Sequence, residues 1–295
     1  MNIVLTGSLG HIGKPLTETL VKQGHQVTVI SSQAKRSAEI EELGAVAATG
    51  ALEDAGFLAE TFAGTDLVYL MVPPDYSQTD QQAYYRRVAA AYAAAIQKTG
   101  VKRAVYLSSY GAELDEGTGF ILGANHAEKI LDALEDVAIT FMRPGYFYYN
   151  LFGFIPLIKK AGVIASNYGG NDRINLVAPV DIATAIADEI ALPAPHRKVR
   201  YVVSDERTAG EIAAVLGAAL GKPDLKWHTI SDAEMAKNLE QNGMPAHAIS
   251  NMVDLGASIH TGVMLVEYDK HKPSTENTVK LEDFAPAFVA AYAHD

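Results

Sequence analysis

The sequence predicts an α/β protein, a doubly wound parallel sheet with a small, mainly helical C-terminal lobe. Three observations predict it. Over the first half of the chain, short apolar runs alternate with segments that are apolar at helical spacing, the pattern of strands joined by crossover helices. Gly7, Gly10 and Gly13 stand between the first apolar run and the first such helix. Beyond Arg143-Pro144-Gly145 the alternation gives way to clustered aromatics and then to two capping boxes.

Asn2 to Thr6 reads as a buried strand, because Ile3, Val4 and Leu5 form a continuous apolar run bounded by a glycine. The glycines follow at G-x-x-G-x-x-G spacing. If a nucleotide sits here, Gly7 permits the turn out of the strand, Gly10 lets backbone N–H groups approach a pyrophosphate, and Gly13 lets the helix pack close to the sheet. That helix carries Ile12, Leu16 and Leu20 on one face and points its N-terminal dipole at the phosphates. A plain Gly-rich turn is the competing reading. The strand before and the amphipathic helix after favour the nucleotide, and with it a Rossmann-type sheet.

Gln26 to Ser31 is the second strand, after a helix closing at Gly24. A site for NAD usually has Asp or Glu at this strand's end, to bond the ribose 2′-hydroxyl. This chain has Ser31, Ser32, Lys35 and Arg36 instead, hydroxyls and cations that suit a 2′-phosphate. NADPH is therefore the expected cofactor, against the reading that Lys35 and Arg36 merely solvate the helix from Ser37 to Leu43. Ala45 to Thr49 is the third strand, and Leu52, in the Gly50 to Asp54 segment after it, lies where such folds contact adenine. Asp66 to Val72 is the fourth, stopped by Pro73-Pro74. A long helix from about Gln81 to Thr99 repeats Tyr84, Val88, Ala91, Tyr92, Ala95 and Ile96 at helical spacing, which reads its tyrosines as packing. Arg103 to Ser109 is the fifth strand, His126 to Leu134 a helix, and Ala138 to Met142 the sixth strand.

Past Pro144 come Tyr146, Phe147, Tyr148, Tyr149, Phe152 and Phe154, then a region read as irregular to Ala178. A helix from Asp181 to Leu192 and a strand at Arg200 to Ser204 return to the main fold. Thr208 with Glu211 and Ser231 with Glu234 open helices of the smaller lobe, Asp269 to Thr278 reads as a loop, and Leu281 to Tyr292 as a last helix. The expected organisation is a dinucleotide-binding core over 1–150 and a mixed region over 151–295, containing returning core elements at about 179–204 and the smaller substrate lobe.

Composition removes whole classes of function. The 295 residues carry a formal charge of −11 and no basic run, which argues against nucleic acid or an acidic membrane surface as partner. Without cysteine there is no disulfide, thiolate nucleophile or Cys-based zinc site. The longest apolar run, Tyr146 to Ile158, is broken by Asn150, Gly153 and Pro156 and is too short to span a bilayer. A glycine-rich strand from Asn2 is not expected to be a signal peptide, so the expectation is a cytoplasmic protein.

TGSLGHIG at Thr6 to Gly13, VISSQAKR at Val29 to Arg36, YLSSYGA at Tyr106 to Ala112, HAEKIL at His126 to Leu131 and ITFMRPGYFYYNL at Ile139 to Leu151 resemble the NmrA-like atypical short-chain dehydrogenase/reductase family. The chain is similar to its quinone reductase and triphenylmethane reductase members, and PVDIA at Pro179 to Ala183 and TAGEIAAVLGAALGKP at Thr208 to Pro223 extend the likeness over nearly the whole chain. The resemblance implies a Rossmann core holding NADPH, with a C-terminal lobe closing over a substrate cleft. Carried over by position, Gly7, Ser8, Leu9, Gly10, His11, Ile12 and Gly13 hold the pyrophosphate, and Ser31 with Lys35 the 2′-phosphate. Val72 and Pro73 lie beside the nicotinamide ribose, and Pro144 joins the cofactor set. Members of the family commonly have Arg where this chain has Ser31, so NADH stays open as a second donor.

Ordinary short-chain dehydrogenases use Tyr-x-x-x-Lys after the fifth strand to protonate a nascent alkoxide. No such pair stands between Ser109 and Lys129, and the single match, Tyr268 with Lys272, lies far along the chain and reads as chance. A quinone demands less, because the hydroquinone anion is a much weaker base than an alkoxide. Positioning and one hydrogen-bond donor then suffice. Tyr110, His126 and Tyr146 are the candidate catalytic residues, with the rings from Tyr146 to Phe154 receiving a flat apolar acceptor. The alternatives are that His126 only caps its helix and that the rings are core or a homodimer contact. His247 and His260 lack carboxylates at metal-ligand spacing, so no metal is expected, and His11 reads as a neutral loop residue. The first expectation is an NADPH-dependent reductase of a quinone-like or other conjugated apolar acceptor. A non-catalytic NAD(P) sensor is the alternative, and an epimerase would need an acid/base pair that is not found.

Overall fold

The computed structural model describes residues 1–75, 77–193 and 197–294. In chain order the first half contains β1 (Asn2–Leu5), α1 (Gly13–Lys22), β2 (Gln26–Ser31), α2 (Ser37–Glu42), β3 (Val46–Thr49), α3 (Ala55–Phe62), β4 (Leu67–Leu70), α4 (Gln81–Thr99), β5 (Arg103–Leu107), α5 (Leu122–Asp132) and β6 (Ala138–Pro144). The second half contains β7 (Tyr146–Phe147), α6 (Ile155–Ala161), β8 (Ile164–Ser166), β9 (Arg173–Val177), α7 (Pro179–Ala191), β10 (Arg197–Val202), β11 (Asp205–Thr208) and α8 (Ala209–Ala219). It ends with β12 (Trp227–Thr229), α9 (Asp232–Gln241), α10 (Ala246–His260), α11 (Leu265–Tyr268) and α12 (Leu281–His294).

Seven strands form the main sheet in the order β10-β6-β5-β4-β1-β2-β3. From β3 through β6 the neighbours pair in parallel. The order reverses between β1 and β4, and the crevice at the carboxyl ends of strands at such a switch point is where ligands bind in open α/β sheets. The strands form because they are buried on both faces, which is why Ile3, Val4 and Leu5 in β1 and all four residues of β4 are covered. α4 buries Tyr84, Val88, Ala91, Tyr92, Ala95 and Ile96 and ends at Gly100 in the left-handed region.

The chain divides into two compact units. One comprises Met1–Ala112, Gly123–Arg143 and Ile182–Arg200, and the other Glu113–Leu122, Pro144–Asp181 and Tyr201–Asp295. The second contains a three-stranded sheet, β11-β9-β7, and a parallel pair, β12-β8. Both capping boxes form: Thr208 and Ser231 each accept from the backbone N–H of the glutamate three residues on, and each glutamate reaches back to the cap's own N–H.

The aromatic stretch forms a 3-10 helix over Tyr148–Phe154, and the region after it, expected to be irregular to Ala178, instead holds α6, β8 and β9. Its strands are three and five residues long and pair with partners distant in sequence: Ile164 lies opposite Trp227 and Leu176 opposite Asp205. Such short runs carry no periodicity of their own.

Candidate functional site

The glycine segment makes a tight backbone loop between β1 and α1. Gly7 and Ser8 both have positive φ, 92° and 56°. At Gly13 a Cβ would lie 2.1 Å from the Ser8 carbonyl oxygen, so the helix start and the loop touch backbone to backbone. The close approach that Gly13 permits is thus to the loop itself. α1 begins at Gly13 with no side-chain cap and no acidic residue in its first turn, which leaves its positive end open to an anion. Leu9 is buried, whereas Gly10 and His11 are exposed.

Across the switch point the exit of β4 is held by hydroxyls. Thr6 Oγ1 accepts from the Met71 N–H at 2.9 Å, and Tyr92 Oη donates to the Met71 carbonyl at 2.7 Å. This peptide leads directly into Val72, which is buried, and Pro73, which is partly exposed. Tyr92 thus does more than pack: helical spacing predicts its burial but not this hydrogen bond. Burial pushes the Tyr92 hydroxyl well above the usual tyrosine range, so it stays a donor.

At the end of β2, Ser31 is buried and its hydroxyl is engaged locally. It accepts from Ser8 Oγ at 3.1 Å and from the Gln33 N–H at 3.2 Å. Ser32 and Lys35 are exposed. Arg36 Nη1 donates to Glu39 at 3.0 Å, and Lys14 Nζ reaches the same carboxylate at 3.3 Å. Lys14 and Glu39 escaped notice in the sequence because 25 residues separate them. Leu52 is partly buried against the core, next to Asp54, which caps α3. The cations Lys14, Lys35 and Arg36, the exposed Ser32 and an uncapped helix start are the chemistry that a phosphorylated dinucleotide requires.

The candidate donors lie on two units. In the first, His126 on α5 is partly exposed, and its Nδ1 is 3.0 Å from Arg86 Nη1. A guanidinium can only donate, so Nδ1 accepts and the ring proton sits on Nε2. Tyr110 is buried just beyond β5. On the same helix as His126, Glu128 accepts from Arg143 through Nε at 3.0 Å and Nη2 at 2.6 Å, and from Ser108 Oγ at 2.5 Å. This buried, bidentate pair ties α5 to β6 and to the end of β5, and so fixes the helix that carries His126. Pro144 closes β6 and is buried.

In the second unit Tyr146 is partly buried, and its hydroxyl lies 3.2 Å from that of Tyr168. Burial pushes the Tyr146 hydroxyl up to about 12, with the Tyr168 hydrogen bond opposing. Of the neighbouring rings, Tyr148 stacks on Phe284 at 5.0 Å, Phe152 lies against Phe284 and Phe288, and Phe154 meets Trp227 edge-on at 4.8 Å. Those three rings have packing roles. Tyr268 donates to Glu206 at 2.7 Å, and Lys272 meets the other oxygen of that carboxylate at 3.0 Å. Burial, and then the bond to Glu206, raise the Tyr268 hydroxyl above the usual tyrosine range, whereas a Tyr-x-x-x-Lys pair works by the lysine lowering it. Asn125 stands four residues before Lys129, and its amide donates to the Ala112 carbonyl. His260 pairs with Asp172 at 2.8 Å. Among the described residues, no group of three or more His, Cys, Asp or Glu is placed to hold a metal, and no helix is long and apolar enough to cross a membrane.

A family model described as NAD(P)H-binding matches residues 7–151. Among characterised relatives, the (4-alkanoyl-5-oxo-2,5-dihydrofuran-3-yl)methyl phosphate reductase of Streptomyces griseus is 31% identical over 223 residues, covering 75% of this chain and 74% of that one. The NAD(P)H azoreductase of Xenophilus azovorans is 25% identical over 296 residues, covering 98% and 99%. Among solved structures, the NADPH-dependent quinone oxidoreductase of Escherichia coli, complexed with NADPH, superposes with a TM-score of 0.82 at 20% identity, over 97% of this chain and 99% of that one. At that identity the likeness shows the fold.

Proposed function

The chain belongs to the NAD(P)H-binding, NmrA-like atypical short-chain dehydrogenase/reductase family, and from that premise we propose that it reduces a quinone-like or other conjugated apolar acceptor, with NADPH as preferred donor. That it is an NAD(P)H-dependent oxidoreductase follows from the family. The acceptor class rests on one observation: the single Tyr-x-x-x-Lys match in the sequence, Tyr268 with Lys272, is spent on Glu206. An acceptor whose reduced form is a weak base does not need such a pair.

When bound, the dihydronicotinamide supplies a hydride. The chain's own residues then have three tasks. The loop from Gly7 to Gly13 and the open end of α1 bind the pyrophosphate, and Lys14, Lys35 and Arg36 bind the 2′-phosphate. Thr6 and Tyr92 fix the Met71 peptide and with it Val72 and Pro73 beside the ribose. His126 and Tyr110 are the candidate hydrogen-bond donors to an oxygen gaining negative charge, with His126 oriented by Arg86. Tyr146 is a further donor proposed from the second unit, because a hydroxyl that ionises only at about 12 remains protonated at neutral pH. Relatives named for azo reduction and for reduction of an unsaturated furanone phosphate support conjugated acceptors as a class.

The test is NADPH and NADH oxidation, followed by loss of absorbance, over a panel of benzoquinones, naphthoquinones and azo dyes, with direct titration of NADP⁺ binding. Acceptor-dependent oxidation, faster with NADPH, is expected. Tight NADP⁺ binding without oxidation by any member of the panel would overturn the acceptor class and favour a non-catalytic sensor.

A further inference from the structure

The charges beyond β2 are coupled through one carboxylate. Glu39, in the first turn of α2, is shared by Lys14 at the start of α1 and Arg36 just ahead of α2, at 3.3 and 3.0 Å. These two cations hydrogen-bond its carboxyl and hold it below the usual carboxylate range, so it is ionised at neutral pH. All three side chains are between 39% and 47% exposed, and exposed ion pairs of this kind exchange partners readily. Ser31, the residue at the strand end, has its hydroxyl committed to Ser8 and Gln33. With that hydroxyl engaged, the charge of a 2′-phosphate would be met by cations, and two of them, Lys14 and Arg36, are already paired with Glu39.

We propose that Glu39 sets the donor specificity of the site, by holding Lys14 and Arg36 when the ribose carries a hydroxyl and yielding them when it carries a phosphate. The inference rests on the NADPH reading above and concerns its margin. A phosphate presents more charge and more acceptor oxygens than a carboxylate, so it wins the guanidinium and the ammonium. The displaced carboxylate stays close to the phosphate, and like charges at that range repel. NADH meets no such repulsion, because its 2′-hydroxyl leaves the two pairs intact. Glu39 thus penalises the phosphorylated donor alone and brings the two donors closer in affinity. A residue that only supported the N-terminus of α2 would leave the ratio of affinities untouched.

The experiment is calorimetric titration of NADP⁺ and NAD⁺ into the full chain, without acceptor, for the wild type, Glu39→Gln and Lys14→Met, with thermal unfolding confirming that each variant is folded. Glu39→Gln is expected to tighten NADP⁺ by roughly threefold to tenfold and to change NAD⁺ by less than about twofold, the range set by one charge–charge contact in a partly exposed site. Lys14→Met is expected to weaken NADP⁺ and spare NAD⁺. An unchanged NADP⁺ to NAD⁺ ratio in Glu39→Gln would overturn the inference, even where the wild type prefers NADP⁺. A wild type without that preference would overturn the NADPH reading, and a gain of preference in Glu39→Gln would then still support the role of Glu39. Equal weakening of both dinucleotides in Lys14→Met would place Lys14 at the pyrophosphate and remove it from the proposal.

Discussion

A Cβ on Gly13 would stand 2.1 Å from the Ser8 carbonyl oxygen, a backbone atom that cannot yield without moving the loop. Alanine is the better helix former by about 1 kcal/mol in a helix interior, but Gly13 is the first residue of α1, where that gain is smallest. The clash wins. Gly13→Ala is expected to weaken NADP⁺ binding by at least about tenfold, roughly 1.4 kcal/mol, as read by titration. Unchanged affinity would mean that the loop geometry does not set binding. The glycines, Lys35 and Arg36 stand out as candidates in the sequence because they lie within single short segments, whereas the engagement of the Ser31 hydroxyl by Ser8 could not be read there. The same holds of Lys14 with Glu39, and of Thr6 with Tyr92 around the Met71 peptide, because each pairing depends on which helix the fold sets beside which strand.

Two elements show how differently helices are held. α5 is fixed through Glu128, whose pairing with Arg143 leaves side-chain exposures of only 10% and 8%. Glu128→Gln removes the negative charge that faces a buried guanidinium, and breaking such a pair typically costs about 3–5 kcal/mol. A lower urea midpoint at unchanged m-value is expected, together with lower turnover, since α5 carries His126. A midpoint within error of the wild type would contradict the anchoring role. α9 stands at the other extreme, with its Ser231 capping box formed and none of its residues buried. Ser231→Ala is expected to cost about 1 kcal/mol locally and to speed amide exchange in the first turns of α9, with little change in global melting temperature. A large global loss would show that α9 supports the rest of its unit. Capping boxes are local signals, which is why both could be read in the sequence. β8 and β12 could not, because a three-residue strand is defined by its partner, and theirs are some sixty residues apart.

At the largest scale, the tyrosines buried around the main sheet shape the response to high pH. Tyr69, Tyr92 and Tyr106 are fully buried, and desolvation raises each hydroxyl above its ordinary value. A raised pKa means that the unfolded chain loses these protons first. The stability they contribute is therefore complete below about pH 10 and falls as pH rises beyond it, by about 1.4 kcal/mol per pH unit for each group. Denaturant unfolding at pH 9, 10 and 11 should show that decline, and Tyr106→Phe should make it shallower. Because the Tyr106 hydroxyl has no hydrogen-bond partner among the described residues, that variant should cost little at neutral pH. An identical slope in wild type and variant would contradict the assignment. The alternating pattern made the main sheet readable from sequence. The division into two units was less so, since Glu113–Leu122 belongs with residues far along the chain.

The proposed reaction passes a hydride from bound NADPH to a conjugated acceptor without the aid of a Tyr-x-x-x-Lys pair. Its most direct test is stopped-flow oxidation of the enzyme–NADPH complex on mixing with a naphthoquinone, using NADPH deuterated at either C4 position. The account predicts oxidation of the bound donor in one step, slowed by deuterium at one C4 position and not at the other. Bound NADPH that persists after mixing, or is oxidised at the same rate whichever position is labelled, would contradict it.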